Sequence, residues 1–266
     1  MRICILGSGP AGASLFRLLR DRDIEVDIFG QEEKTSCGMK SCSWGVNKLK
    51  FEEICRILGL TAENYYTNVL DSFTLNGFKR SCNLAILDKK KLIDSLVGSN
   101  VNYRKPNLDS YDRIIDATGS TNGRWHRTYQ VRIKESFPLA VRIKPNLEIE
   151  WRFPTNGNTH IGILNPRSTK NFEFDKICEC YSKIHKEGLV RNLVEGKVWK
   201  VGESAGVVDP VTGSGILSSI TSSIILSKYL NNPIGYVREM EKTFEYTRSK
   251  LRTLFHNEFR GLPIRV

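Results

Sequence analysis

The spacing of apolar residues changes twice within the first thirty positions of the chain. An apolar run over 2–6 predicts a short buried strand, and the apolar residues after the glycines of 7–12 recur at helical spacing up to Arg20. A second apolar run over 24–29 predicts another strand. The order strand, glycine-rich loop, helix, strand is typical of a parallel α/β unit.

The loop between these elements reads Gly7-Ser8-Gly9-Pro10-Ala11-Gly12 and matches the GxGxxG pattern of dinucleotide-binding proteins. In this pattern Gly7 allows a tight turn, Gly9 lets the backbone approach a pyrophosphate, and Gly12 lets helix and strand pack closely. The helix N-terminus then attracts phosphates. Gly30 stands where an acidic residue usually binds the ribose hydroxyls, so this contact would have to come from Gln31, Glu32 or Glu33.

Two further glycine-containing segments follow predicted strands. The strand over 111–116 ends in Ala117-Thr118-Gly119, small residues that let the backbone pass close to a ligand. The strand over 198–201 leads into the glycine-rich segment 202–216 and then into another helix. This helix would direct a second dipole at an anionic group, although an ordinary strand–helix corner has the same pattern. The Ser and Thr residues over 214–223 exclude a membrane helix and indicate close packing or polar contacts.

Strict alternation of apolar and polar residues replaces this periodicity in the middle of the chain. It covers 139–143 and 147–153, with another strand over 160–164, and Asn76-Gly77 predicts a hairpin. These segments predict an antiparallel sheet with one apolar face. That face is either core packed by helices such as 172–187, or a slot for a ligand lined by Trp151 and Phe153.

Composition narrows the class of protein. The 266 residues are 40% hydrophobic and carry a net charge of +11, values that exclude wholesale disorder, and no apolar run is long enough to span a bilayer. The basic residues are dispersed, so the charge alone predicts no nucleic-acid partner. A basic amphipathic helix near 235–256 is either a solvated surface helix or one that contacts an anionic membrane surface transiently.

Cysteine and histidine usage predicts no metal site. The seven Cys form no CxxC pair, and the four His join no Cys cluster, so reduced thiols are expected rather than a disulfide framework. The first apolar run is too short for a signal peptide. We therefore expect a cytoplasmic protein, peripheral to the membrane if the basic helix binds lipid.

Four features, in order, resemble the FAD-dependent oxidoreductases of the geranylgeranyl reductase family. They are GSGPAG at 7–12, Cys37-Gly38, DATG at 116–119 and GESAGVVDPVTGSGI at 202–216. The segment 88–92 also resembles the family's D-R-x-x-L helix start, with Lys89 in the Arg position. The chain is shorter than is usual in the family, and Glu203 stands in place of its Asp.

A further match lies in the predicted antiparallel sheet. Trp151-Arg152-Phe153-Pro154, with Gly162 beyond it, is similar to the YxWxFP motif that lines the family's prenyl cavity, although Ile149 replaces the Tyr. The resemblance implies that Trp151, Phe153, Pro154 and Gly162 contact the substrate.

The resemblance implies an α/β fold: a three-layer, Rossmann-type FAD-binding domain with an inserted antiparallel sheet, as in p-hydroxybenzoate hydroxylase. The FAD-binding domain would comprise 1–64, 86–125 and 196–266, and the substrate domain 65–85 and 126–195.

The resemblance also implies the cofactor FAD and its binding residues. These are Gly7, Gly9, Pro10, Ala11, Gly12, Cys37, Gly38, Lys89, Ala117, Thr118, Gly119, Gly202, Glu203, Asp209, Gly213, Gly215 and Ile216. Cys37 is the candidate catalytic residue near the flavin ring, and its alternative role is that of a buried thiol in a turn.

The activity implied is reduction of C=C bonds in a prenyl lipid of the geranylgeranyl type. Electrons would come from reduced ferredoxin or NAD(P)H. We expect neither a metal site nor a nucleic-acid partner. Two alternatives stay open: a flavin monooxygenase of the same fold, and a non-catalytic protein that binds FAD or a prenyl ligand.

Overall fold

The computed structural model describes residues 1–31, 45–119, 125–144, 148–165, 174–185, 188–210 and 212–260. The chain divides into two compact units: Met1–Gln31, Ser95–Arg124 and His185–Val266 form the first, and Glu32–Asp94 and Trp125–Ile184 the second. The boundaries of the cofactor and substrate domains given above stay a prediction. In the part of the chain that the structure describes, every helix is too short or too polar to cross a membrane.

Strands and helices alternate at the start of the chain, and strands dominate its middle. The described strands are β1 (Arg2–Leu6), β2 (Glu25–Phe29), β3 (Gly45–Asn47), β4 (Tyr66–Leu75), β5 (Phe78–Leu87), β6 (Val101–Asn102), β7 (Arg113–Asp116), β8 (Trp125–Ile133), β9 (Ala140–Ile143), β10 (Ile149–Thr155), β11 (Asn158–Leu164), β12 (Lys176–His185), β13 (Val194–Glu195) and β14 (Val198–Lys200). The described helices are α1 (Pro10–Leu19), α2 (Lys48–Leu58), α3 (Lys89–Val97), α4 (Ile216–Lys228) and α5 (Pro233–Arg260).

A six-stranded sheet forms the centre of the first unit, in the order β13-β14-β7-β1-β2-β6. Strand β1 pairs in parallel with β2 and β7, and β6 and β14 extend the parallel sheet on either side. Ile3, Cys4 and Ile5 are fully buried, as expected for the middle strand of a parallel sheet with both faces covered. The predicted Rossmann-type α/β class is confirmed for this unit.

Helix α5 is the basic helix expected near 235–256, and it packs on the first unit along one stripe. Tyr236, Met240 and Phe244, spaced by four residues, are buried. Tyr236 stacks on Trp199 of β14 with ring centroids 5.5 Å apart. The Arg248 guanidinium makes structural hydrogen bonds, because it donates to the carbonyl oxygens of Leu189 and Val190 over 2.8 and 3.0 Å.

The second unit contains an eight-stranded sheet in the order β12-β8-β11-β10-β9-β4-β5-β3. The pairs β8–β11, β11–β10, β10–β9, β4–β5 and β5–β3 are antiparallel, and β4 and β9 are parallel. Asn76 and Gly77, with φ of 48° and 91°, form the tight hairpin between β4 and β5. The predicted antiparallel sheet and its Asn-Gly hairpin are confirmed.

The helix expected over 172–187 is wrong where the structure describes this segment. Residues Lys176–His185 form β12, the strand next to β8 at the sheet edge. Cys178 is buried between the exposed Ile177 and Glu179, which is the two-residue period of a strand. The Tyr129 hydroxyl of β8 donates to Glu179 over 2.5 Å. Contacts across the sheet therefore outweigh the local helical pattern.

The two faces of the second sheet differ in polarity. Cross-strand pairs place Tyr129, Val131, Ile133 and Ile161 on one face, which we call the core face, where they form a buried apolar cluster. On the opposite face, which we call the Trp151 face, lie residues that alternate with the core-face residues along β8, β10 and β11. They are Thr128, Gln130, Arg132, Trp151, Phe153, His160, Gly162 and Leu164.

This distribution corrects the expectation of a single apolar face, because a buried apolar cluster lies on the face opposite Trp151. The Trp151 face carries polar side chains beside its aromatic ones, and Gln130 and His160 are buried there. Glu150, which alternates with the apolar residues of β10, is only 6% exposed and forms an ion pair with Arg152 over 3.1 Å. Residues on both faces of β8, β10 and β11 are buried. The alternation of apolar and polar residues therefore predicts a strand but does not identify which of its faces contacts solvent.

Trp151 and Gly162 face each other across β10 and β11 and fit together closely. A Cβ atom on Gly162 would lie 2.0 Å from Cζ2 of the Trp151 ring. The indole therefore occupies the space above the Gly162 backbone, which explains the residue types at both positions.

We predict that Gly162→Ala destabilises the protein by about 2–3 kcal/mol, because the added methyl group displaces the indole ring. Urea unfolding measures the change. The same substitution in a Trp151→Leu background should cost less than half as much, since the smaller side chain leaves room. Equal costs in both backgrounds would show that the ring is not the obstacle.

Candidate functional site

The first glycine-rich loop follows β1 directly and is shaped by two close approaches. Gly7 has φ of +106° and its N–H donates to the carbonyl oxygen of Phe29 over 2.7 Å. A Cβ on Gly7 would lie 2.3 Å from the Ala117 oxygen, and one on Gly12 would lie 1.8 Å from the Gly7 oxygen. Gly9 differs, because a Cβ there would meet nothing within 4 Å. Two glycines are thus required by packing, and the third faces open space.

Helix α1 begins at this open position without a side-chain cap. Gly9 is its N-cap residue, Pro10 occupies the first turn, and no acidic residue lies there. The first N–H groups of a helix lack intrahelical partners and carry the positive end of the helix dipole. An anionic group such as a pyrophosphate fits this helix terminus, in agreement with the GxGxxG prediction.

The second loop, after β7, is held by Asp116. The Thr118 N–H and hydroxyl donate to Oδ1 of Asp116 over 3.1 and 2.7 Å. Gly119 has φ of +89°, and its N–H donates to Oγ of Ser204 over 3.1 Å. Ser204 Oγ also lies 3.0 Å from the same Asp116 oxygen. This network joins the second loop to the third.

The third loop begins at Gly202 and packs against α1. A Cβ on Gly202, which has φ of +65°, would lie 2.7 Å from Cβ of Ala11. The Gly202 N–H donates to Oγ of Ser222 over 2.9 Å, and Oγ of Ser223 donates to the Ala11 oxygen over 2.8 Å. Two buried serines of α4 thus bind both loops, as the Ser-rich pattern indicated. We call 7–12, 116–119 and 202–206 together the three-loop cluster.

The segment before α4 is a turn shaped by Asp209. Its Oδ1 accepts from the N–H and hydroxyl of Thr212 over 3.0 and 3.2 Å. The N–H of Gly213 donates to the Asp209 carbonyl oxygen over 2.9 Å. Helix α4 then starts at Ile216 with Gly215 as N-cap and no side-chain cap. A second uncapped helix terminus therefore lies in the first unit.

Gly30 has a packing reason that the sequence did not reveal. A Cβ there would lie 2.5 Å from Oγ of Ser8 and 2.8 Å from Cγ1 of Val101. The space that an acidic side chain would enter is thus filled by a residue of the first loop. Glu32 and Glu33, proposed as substitutes, lie outside the described residues.

The structure brings most of the predicted cofactor residues together in the first unit. Residues 7–12, 117–119, 202 and 203 belong to the three-loop cluster, where Oε2 of Glu203 lies 3.7 Å from a Cβ built on Gly119. Cys37 and Gly38 lie outside the described residues. Lys89, the first residue of α3, lies in the second unit. The strands β10 and β11, which carry Trp151, Phe153, Pro154 and Gly162, lie in the same unit. The functional roles of all these residues stay predictions.

His160 is a polar residue of the Trp151 face that the sequence analysis did not single out. Its Nε2 lies 2.7 Å from Oε1 of Gln130 in a buried pair. Burial, and then the charges of Arg132 and Lys89, lower the pKa of His160 to about 4. The imidazole is therefore neutral at neutral pH. A histidine in an otherwise apolar strand was the available signal.

The cysteines correct one expectation. Cys178 is disulfide-bonded, so the thiols are not all reduced. Cys4, Cys55, Cys82 and Cys180 form no disulfide bond. Burial raises the pKa of Cys4 to about 11 and that of Cys55 to about 12, so these two are poor nucleophiles.

Comparisons with known proteins place this geometry in context. No protein-family model matches the chain. An uncharacterized protein of Methanocaldococcus jannaschii, MJ1182, is 22% identical over 306 aligned positions, which cover 86% of this chain and 83% of that protein. Solved structures give stronger likenesses.

A geranylgeranyl bacteriochlorophyll reductase-like protein from Thermoplasma acidophilum superposes with a TM-score of 0.74 at 15% identity, covering 97% of this chain and 86% of that one. Klebsiella pneumoniae HpxO, complexed with FAD and uric acid, gives 0.68 at 12% identity, covering 96% and 86%. PqsL, a probable FAD-dependent monooxygenase from Pseudomonas aeruginosa, gives 0.68 at 13% identity, covering 94% of each chain.

The chain has the fold of these flavoproteins. The resemblance seen in the sequence is thus confirmed at the level of the fold, including the pairing of a Rossmann-type unit with an antiparallel sheet as in the hydroxylase type. Sequence identities this low carry no statement about substrate.

Gly12→Ala should lower the thermal unfolding midpoint by several degrees, since overpacking of this kind costs about 1–3 kcal/mol. Gly9→Ala is the matched control in the same loop, because its added methyl group meets open space. Its midpoint should change by no more than a degree or two. Equal losses for both variants would contradict the close approach of Gly12 to the Gly7 carbonyl.

The low pKa of His160 predicts a specific loss of stability in acid. Below pH 6.5 the unfolded chain takes up a proton that the folded chain accepts only near pH 4, so stability falls as the pH drops through this window. The loss attributable to this residue is about 2 kcal/mol at about pH 5. Urea unfolding at about pH 7.5 and pH 5 should therefore show a smaller pH effect in His160→Gln. An unchanged pH effect would refute the assignment.

Proposed function

We propose that the protein is an FAD-dependent oxidoreductase and that the three-loop cluster binds the cofactor. The observation that carries this proposal is the uncapped start of α1, where Gly9 faces open space between two glycines locked by packing. Such a terminus suits the pyrophosphate of a dinucleotide. The similarity in fold to HpxO, whose structure contains FAD, supports the choice of flavin.

Each loop of the cluster would have its own part in binding. Gly9 and Ala11 would present backbone N–H groups to the pyrophosphate at the positive end of α1, and Pro10 between them, which has no N–H, would fix the first turn of the helix. Thr118 and Gly119, fixed by Asp116 and Ser204, would let the backbone pass close to the cofactor. The start of α4, also without a side-chain cap, would direct its dipole at an electron-rich part of FAD. Ser8, which fills the space beside Gly30, would offer a hydroxyl at the usual ribose-binding position.

The reaction we propose is reduction of C=C bonds in a prenyl lipid of the geranylgeranyl type. FAD, when bound, supplies the electron pair, and the chain positions the substrate and delivers the proton to the second carbon of the bond. The Trp151-Arg152-Phe153-Pro154 motif and the fold shared with the Thermoplasma reductase-like protein support this substrate class. Trp151, Phe153 and Pro154 would contact the prenyl chain, and Cys37 stays the proposed catalytic residue. The electron donor would be reduced ferredoxin or NAD(P)H.

A flavin monooxygenase is the second candidate. The fold shared with PqsL, a probable FAD-dependent monooxygenase, favours it as strongly as the reductase-like protein favours reduction. The two candidates differ in what the reduced protein reacts with: a double bond of the substrate in one case and dioxygen in the other.

The purified protein should be yellow, with the absorbance spectrum of a flavin. Gly9→Val should lower FAD affinity by about tenfold or more, because its side chain enters the space intended for the phosphates while the fold is retained. Equilibrium dialysis measures the affinity, and circular dichroism checks the fold. A protein that neither contains flavin nor takes it up when FAD is added would exclude both enzymatic candidates.

Anaerobic reoxidation then separates the two candidates. If the protein is a prenyl reductase, the dithionite-reduced flavin is reoxidised by a geranylgeranyl lipid, and mass spectrometry finds the product heavier by two hydrogen atoms per bond reduced. Rapid NAD(P)H oxidation in air, with peroxide or a hydroxylated product, would identify the monooxygenase instead. Reoxidation by no prenyl phosphate or ether would reject the reductase.

A further inference from the structure

Among the described residues, two neutral side chains of the Trp151 face each have a buried N–H donor without a partner. They are Nε2 of Gln130 and Nε1 of Trp151, and no hydrogen-bond acceptor reaches either atom within the described part of the chain. Gln130 is 1% exposed and Trp151 8% exposed. A buried donor without a partner has lost the hydrogen bonds that water would give it, so two of them on one face of a sheet call for an explanation.

The register of the sheet places the two residues on either side of one glycine. Gly162 on β11 pairs with Trp151 on β10 and with Gln130 on β8, so both side chains flank the same glycine on the same face. The Trp151 ring lies over that glycine, where a Cβ on Gly162 would be 2.5 Å from Nε1. The absence of a side chain at Gly162 lets the indole ring lie over β11, the strand between Trp151 and Gln130.

The partner of Gln130 determines which of its atoms is left over. Its Oε1 lies 2.7 Å from Nε2 of His160. Because an amide oxygen can only accept, the Nε2 of His160 donates to it in the tautomer that carries the proton on Nε2. The amide oxygen is thereby used and the NH₂ group is turned away from the histidine. The Gln130–Trp151 pair is therefore a pair of donors.

Two positively charged side chains act on His160, the partner of Gln130. Arg132 lies on the same face, paired across the sheet with His160. Arg132 and Lys89 both act on His160 strongly enough to lower its pKa. Two N–H donors in a field of this sign match an oxygen atom that carries negative charge. An apolar chain alone could not satisfy them.

We propose that Gln130 and Trp151 form a subsite that binds an anionic oxygen of the substrate, such as that of a phosphate or a carboxylate. This subsite rests on the proposed function in one respect, since it assigns the polar end of the substrate to the sheet that would bind the prenyl chain. The indole would serve both parts, with its ring against the apolar chain and its N–H against the anionic oxygen.

Nuclear magnetic resonance of the FAD-bound protein, labelled with ¹⁵N, tests this subsite directly. The indole N–H signal of Trp151 is identified by its loss in Trp151→Phe. Geranylgeranyl phosphate and geranylgeraniol are titrated as a pair that differs in the charged group alone. The phosphate should shift the Trp151 signal downfield, and the alcohol should bind at least about tenfold more weakly.

Two variants separate donation from shape. Gln130→Leu removes the amide donors and should reduce the preference for the phosphate over the alcohol by about tenfold, leaving affinity for the alcohol unchanged. Tyr129→Phe, which changes the neighbouring residue on the core face, is the matched control and should leave the preference intact. Equal weakening of both ligands in Gln130→Leu would show that the residue merely shapes the sheet and would overturn the proposal.

Inorganic phosphate and acetate keep this test independent of the prenyl hypothesis. If neither prenyl ligand binds, the proposed substrate class fails, but these small anions should still shift the Trp151 signal in the wild type and less in Gln130→Leu. A Trp151 signal that responds to no anion would overturn the subsite whatever the substrate is.

Discussion

The close approach of the Gly12 backbone to the carbonyl oxygen of Gly7 determines the geometry of the three-loop cluster. It lets α1 start immediately at the carboxyl end of β1, in a space that any side chain would fill. Ala11 is thereby brought against Gly202, and its carbonyl oxygen against Ser223 of α4. The three-loop cluster is thus an assembly of backbone segments, in which side chains serve chiefly as short hydrogen-bonded links.

The second sheet uses glycine in the opposite manner. The missing side chain at Gly162 makes room for the Trp151 ring of the neighbouring strand, whereas the missing side chains at Gly7 and Gly12 let backbone segments approach each other. The ring covers one strand, and the polar residues on the same face pair with each other, as His160 does with Gln130. Such a face combines an aromatic surface with fixed donors, which is typical of ligand sites that need both affinity and orientation.

The sequence predicted the parts of this fold that depend on local patterns. Four features depend on residues that are close together in the sequence. They are the GxGxxG loop, the buried run of β1, the Asn-Gly hairpin and the serines of α4. Burial did not follow from pattern, because Glu150 alternates as a solvated residue would and yet is covered. The strand β12 was missed for a related reason, since its neighbour β8 supplies the contacts that decide its conformation. Gly30 and Ser8 could not be connected from sequence, as 22 positions separate them and only the packing of the loop brings them together.

The division of the first unit into three separate stretches of chain affects how the protein can be made. Strand β1 pairs with β7, more than a hundred positions later, and β7 in turn pairs with β14 near position 200. During synthesis the earliest strand must therefore wait for most of the polypeptide to leave the ribosome before its sheet can close. Long-range parallel pairing of this kind is slow to form and leaves apolar strand edges exposed meanwhile. The second unit has its hairpin of β4 and β5 between neighbouring residues and can begin to fold while the first is still incomplete.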